Sequence, residues 1–179
     1  MAAITTSSMF VGDINIPDAA NLSLFIDKYE PKFLTAILGY KTAKDLFTDW
    51  DANETSGKWF NLWNGVEYTD KHGRLNKWPG FLDVGYSAIA FYIYTRWMKD
   101  VQSNTGTTGE VRSVVVGADP VSAADKVSNA WNQMCELLYV LDDYLVQNAS
   151  DYPDYIGATY WCETYGNKQY YEKINSFGI

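Results

Sequence analysis

The sequence predicts a mainly α fold: a bundle of about four to five helices with a small hairpin or flexible loop insertion and an extended aromatic C-terminal arm. Three observations carry that expectation. Apolar residues recur at three- and four-residue steps in several separate segments, the spacing of a helix with one buried face. The longest of these keeps the pattern through Ala124, Val127, Trp131, Met134, Leu138, Leu141 and Leu145, a seam of heptad type. Beyond Asp151 the period disappears while aromatic residues crowd among glycines, asparagines and charges. The 179 residues suffice for one domain, since a chain of this length buries roughly 70% of its unfolded surface. The expected division is a helical domain over 1–150 and an arm over 151–179.

In chain order, Leu22, Phe25, Ile26, Tyr29, Phe33, Leu34 and Ile37 share one face of a first helix that starts near Asp18 or Asn21 and ends at a Gly39 cap. Pro31 removes one helix hydrogen bond, so a kink around Tyr29 or the start of a second helix is expected there. A shorter helix from Lys41 to Trp50 follows. Ser56 is placed to cap another short helix carrying Trp59, Phe60, Leu62 and Trp63. Val66 to Trp78 reads as a small hairpin turning at His72-Gly73. The stretch from Pro79 to Asp100 is apolar nearly all round, as a helix in the middle of a bundle should be.

From Gln102 to Asp119 the period is lost. Asn104 to Gly109 reads as a flexible connection and Val111 to Val116 as a short strand. Asp119 then suits an N-cap and Pro120 the first helical position of a helix running to Asn148, on the order of 40 Å long. Internal repeats of fixed period are absent, which argues against a solenoid or propeller.

Composition narrows the function. Apolar content is 47%, while aromatics reach 16%, so aromatic surface must be packed or bound somewhere. A net charge of −8 argues against gripping DNA or an anionic membrane by phosphate neutralisation, which needs clustered Lys and Arg. The basic run from Lys71 to Lys77 is short and interrupted, the pattern of a solvated loop. The most apolar stretch, Phe81 to Met98, holds Asp83 and Arg96, which favours a buried helix over a membrane span. Two cysteines, Cys135 and Cys162, are too few for a disulfide scaffold, and no charged segment followed by an apolar one opens the chain. Synthesis in a reducing cytoplasm is expected, so the Asn148-Ala149-Ser150 acceptor pattern carries no weight.

The search for chemistry returns little. His72 is the only histidine and sits in a glycine-containing loop, so a triad would rest on one exposed side chain and a histidine-rich metal site is impossible. Cys135, beside Met134 on the long helix, reads as a packed thiol. The pairs Asp49 with Asp51 and Asp142 with Asp143 have the residue types of a glycosidase, which needs carboxylates roughly 5 to 10 Å apart, but in an acidic chain they read first as solvated helix faces. No phosphate-cradling glycine loop and no zinc-ligand quartet occurs. No enzyme activity, cofactor or metal is expected. The aromatics Tyr152, Tyr155, Tyr160, Trp161, Tyr165, Tyr170, Tyr171 and Phe177 read as anchors against another protein. An aromatic-rich carbohydrate- or protein-binding module is the alternative, and a small hydrolase with an acidic pair is a second.

The run Phe25-Ile26-Asp27-Lys28-Tyr29-Glu30-Pro31-Lys32-Phe33-Leu34, ending in Leu38-Gly39-Tyr40, resembles the opening helix of small neck proteins from tailed phages of gut Bacteroidales, including crAss-like phages. Markers in the same order are the Ser87 to Met98 helix, Thr108-Gly109-Glu110-Val111, Lys126 with Ala130-Trp131-Asn132, Tyr152-Pro153, and Asn175-Ser176-Phe177-Gly178-Ile179. The resemblance implies a head-to-tail connector: a helical bundle with a loop or hairpin between its last two helices and a C-terminal arm. It also implies a dodecameric ring in the virion neck, below the portal protein and above the next neck or tail ring. In such a ring the arm, closing at Ile179, reaches the portal or a neighbouring subunit. The loop Thr105-Gly106-Thr107-Thr108-Gly109 faces the DNA channel or the next ring. DNA passes without sequence-specific binding, which an acidic lining favours, and no membrane is involved.

Overall fold

The computed structural model describes residues 3–16, 21–52, 57–106, 109–112, 124–155 and 157. Among them the chain is a mainly helical bundle of five helices with two antiparallel hairpins, as the apolar spacing predicts. Helix α1 runs Leu22–Leu38, α2 Tyr40–Ala52 and α3 Gly57–Asn64. Strands β1 (Val66–Thr69) and β2 (Leu75–Trp78) form the first hairpin. Helix α4 is Ala88–Gln102, strands β3 (Ser103–Gly106) and β4 (Gly109–Arg112) form the second hairpin, and α5 is Ala124–Gln147.

Helix α4 is the centre. Every side chain from Ala88 to Thr95 is buried, because both α1 and α5 pack on this helix. Phe33 of α1 stacks on Tyr92 of α4 at 4.7 Å between ring centres. From α5, Val127, Trp131, Met134, Leu138, Leu141 and Leu145 are all buried, so the heptad seam is the face that meets the bundle. Cys135 is buried beside it, the packed thiol that its helix position implied.

Three expectations need correction. Pro31 does not start a second helix: α1 continues through it, since the buried Glu30, Phe33 and Leu34 on either side hold the turn in place, and the break comes only at Gly39. The central helix begins at Ala88, not Pro79. Gly80 (φ +103) and Gly85 (φ +79) both sit in the left-handed region, which a helix cannot contain, and the chain enters α4 only after Ser87 donates its hydroxyl to Phe81 O at 2.7 Å. The connection expected over Asn104 to Gly109 is instead the β3–β4 hairpin, with Asn104 opposite Val111 and Thr105 opposite Glu110. The caps assigned to Asp18, Ser56, Asp119 and Pro120, and the strand beyond Arg112, lie outside the described residues.

The β1–β2 hairpin is closed at both ends. At its base Gly65 and Gly80 cross so closely that neither has room for a Cβ. Phe81 N–H donates to Leu62 O and Leu82 N–H to Trp63 O, each at 2.9 Å, and the indoles of Trp63 and Trp78 are fully buried there. At its tip Asp70 accepts from His72 N and Arg74 N at 2.8 and 2.9 Å, and from Arg74 Nε and Asn76 Nδ2 at 2.8 and 3.3 Å. An aspartate bonding the backbone two residues on is the usual local reason for such a turn.

Residues 3–16, for which the periodicity gave no assignment, form a strap with two short 3-10 turns. Ile4, Met9, Phe10, Ile14 and Ile16 are buried, and the second turn rests on α4 and α5.

Candidate functional site

The residues expected to act on partners fall in separate places. Tyr152 is 2% exposed; its hydroxyl donates to Lys58 O at 2.6 Å and lies 3.3 Å from the Tyr144 hydroxyl. Its ring meets Trp59 and Tyr144 edge-on, each at 5.9 Å. Burial, and then the Tyr144 hydroxyl, push its pKa far above the ordinary tyrosine value, so it stays a neutral donor. Tyr155 is half-buried and donates to Asp142 Oδ1 at 2.6 Å, while Asp154 pairs with Lys41 at 2.8 Å. The first turn of the expected arm is therefore packed on the helices. Tyr152 serves the chain's own core instead of a partner, and Tyr155 is tied to α5. Tyr160, Trp161, Tyr165, Tyr170, Tyr171, Phe177 and Ile179 lie outside the described residues, as does Cys162.

Of the loop expected to face a channel or the next ring, Thr105 and Gly106 belong to β3 and Gly109 to β4, where Gly106 faces Gly109 across the ladder; Thr107 and Thr108 lie outside the described residues.

His72 is exposed at the β1–β2 tip, on the rim of a shallow depression of about 240 Å³ lined by Tyr68, Asp70, Arg74, Tyr139 and Asp143 among others. The carboxylates there are engaged. Asp70 has four donors on its two oxygens, and the Arg74 backbone N–H foremost among them holds its carboxyl below the usual range. A carboxylate so saturated has no lone pair left for a substrate proton. Tyr68, whose hydroxyl donates to Val140 O at 3.2 Å, is pushed well above the ordinary tyrosine value by burial and then by Asp143.

The acidic pairs do not share solvated faces. Asp49 is buried and accepts Trp63 Nε1 at 3.3 Å, whereas Asp51 is exposed, because positions two apart on a helix point to different sides. Asp142 is engaged by Tyr155, and Asp143 turns toward the hairpin. Among the described residues no group of three or more His, Cys, Asp or Glu is placed to hold a metal ion, and no helix is long and apolar enough to cross a membrane.

One ionisable group was missed by the sequence reading. Glu30 lies on the apolar side of α1, and its carboxylate accepts Ile4 N–H at 3.0 Å and Thr5 N–H at 2.6 Å, fastening the strap to α1. A glutamate between Tyr29 and Phe33 on the buried face was the available signal. Burial raises its pKa above 4.5, against the lowering effect of those donors and with help from the charge of Asp27. A carboxyl raised in the folded state contributes most stability below its unfolded pKa, and loses that contribution as pH rises through the folded value. Acidification from pH 7 to 4 is thus expected to stabilise the wild type relative to Glu30→Gln, read by urea denaturation of both at each pH. Parallel pH profiles would mean that Glu30 has an ordinary pKa.

Compared with known proteins, the chain matches no family model, no curated protein and no solved structure.

Proposed function

We propose that the chain is a structural virion protein: one subunit of a neck ring that joins the head of a tailed phage to its tail, binds below the portal and lines the DNA passage. The observation that carries this reading is the β3–β4 hairpin between the last two helices of a helical bundle, the arrangement that the resemblance of the Phe25 to Tyr40 run implies. The charge of −8 supports it, because a passage for DNA works best if it does not hold phosphate. The saturated Asp70 and the buried Asp49 support a structural role for the carboxylates over a hydrolytic one.

Identical subunits joined by head-to-tail contacts close into a ring when the rotation allows. Native mass measurement and negative-stain microscopy, with the protein alone and with portal protein, are expected to show a closed dodecamer seated on the portal. A chain that stays monomeric and leaves portal unbound overturns the proposal. So does turnover of a glycan, peptide or nucleic acid that disappears on His72→Ala or on loss of Asp142 and Asp143.

A further inference from the structure

The sequence holds one Asn-Gly pair, Asn64-Gly65, at the point where α3 ends and the β1–β2 hairpin begins. In an open chain this is the most reactive asparagine context, because glycine has no Cβ to keep its amide nitrogen away from the asparagine side chain. The Gly65 N–H gives its proton to solvent base and the nitrogen attacks Asn64 Cγ. The N–Cγ bond forms, the Cγ–Nδ2 bond breaks, and ammonia leaves with a proton taken from water. Water then opens the succinimide at either carbonyl. One product is aspartate at position 64; the other is an isoaspartyl link, in which the main chain runs through the side-chain carboxyl and gains one carbon. Nothing is oxidised or reduced, and water is the only co-reactant.

The folded chain withholds both reacting groups. Gly65 N–H donates to Asn61 O at 3.0 Å, so its proton is committed to the last turn of α3. Asn64 is exposed, yet its Nδ2 donates to Phe60 O at 3.2 Å, one turn back. A helical side chain leans toward the N-terminus of its helix, and this bond holds the Asn64 amide there, on the side away from Gly65 N. Gly65 cannot swing to meet it. It is pinned at the crossing with Gly80, beside Trp63 O, which accepts Leu82 N–H at 2.9 Å.

We infer that Asn64-Gly65 is a deamidation site that the fold keeps closed, and that it reacts only when the last turn of α3 and the base of the hairpin open together. The inference stands apart from the ring reading. It also sorts damaged chains. Aspartate at position 64 adds a charge at an exposed place and leaves the main chain its length, whereas the isoaspartyl link lengthens the chain beside a crossing that has no room for a Cβ. A chain that lingers unfolded thus acquires a backbone that cannot close the hairpin, and a folded one keeps Asn64.

The test incubates full-length protein in mildly alkaline buffer, folded or unfolded in urea, and follows both products at position 64 by peptide mapping. Slow chemistry on a transiently open state tracks the population of that state, so folded protein should deamidate at Asn64 about tenfold or more slowly than unfolded. Gly80→Ala, which loosens the crossing, should speed the reaction in folded protein more than Gly73→Ala does at the hairpin tip, with circular dichroism checking that each variant folds. When aged, unfolded protein is returned to buffer, chains with aspartate at position 64 should refold and isoaspartyl chains should not. Equal rates in folded and unfolded protein overturn the closed site, and absence of both products from unfolded protein overturns the site itself. A folded Gly80→Ala that reacts no faster than Gly73→Ala overturns the coupling to the hairpin base. Isoaspartyl chains that refold as well as aspartate ones overturn the sorting.

Discussion

Gly80→Ala is expected to cost about 3 to 6 kcal/mol, from backbone strain at a positive φ together with overpacking against main chain. The φ of +103 is one that an L residue rarely adopts, and the added Cβ would stand 2.6 Å from Gly65 N and from Trp63 O. Neither atom can retreat, because the same few residues carry the Phe81–Leu62 and Leu82–Trp63 hydrogen bonds over the buried Trp63 and Trp78. Gly73→Ala is the control: its φ is +78 but its Cβ would meet open space, so it reports strain alone. Urea denaturation of the two variants separates the terms. A Gly80→Ala midpoint within about 1 kcal/mol of Gly73→Ala would show that the crossing at the hairpin base is looser than drawn.

Tyr152→Ala should destabilise the bundle by about 3 to 5 kcal/mol, the usual cost of deleting a buried aromatic. It removes edge contacts to Trp59 and Tyr144 together with the bond to Lys58 O. Tyr152→Phe keeps the ring and loses one hydrogen bond, so about 1 kcal/mol is expected. Truncation after Ser150 should therefore behave like Tyr152→Ala, while truncation after Gly157 should fold as full length does. Circular dichroism through a denaturant series reads both. Equal stability of the two truncations would return the boundary to residue 150.

What was legible in the sequence was whatever repeats. The seam from Val127 to Leu145 and the face from Leu22 to Ile37 follow the helix period, and both lie where it puts them. The β1–β2 hairpin was readable from His72-Gly73, since turn chemistry is local. The strap was not, because Ile4, Met9, Phe10 and Ile14 are spaced by irregular turns, and its partners lie farther along the chain: Glu30 of α1 for Ile4 and Thr5, and α4 and α5 for the turn that holds Ile14. The start of α4 was misplaced for a related reason. Phe81 and Leu82 look helical by composition, but Gly80 is committed to a crossing with Gly65 that no local pattern announces. For the candidate interaction surfaces, sequence identified the residue types but not which aromatics turn inward: Tyr152 is spent on the core, whereas Tyr139 of α5 is exposed.

The strap has a consequence in time. Residues 3–16 are synthesised long before α5, yet their second turn, with the buried Ile14, rests on α4 and α5. Until α5, which ends at Gln147, has been made and has docked, Ile14 has no complete site to enter. Closure of the core therefore awaits contacts between the two ends of the described chain, the kind of long-range pairing that slows folding. During synthesis the nascent chain carries an uncovered apolar segment, a natural stretch for a chaperone to hold.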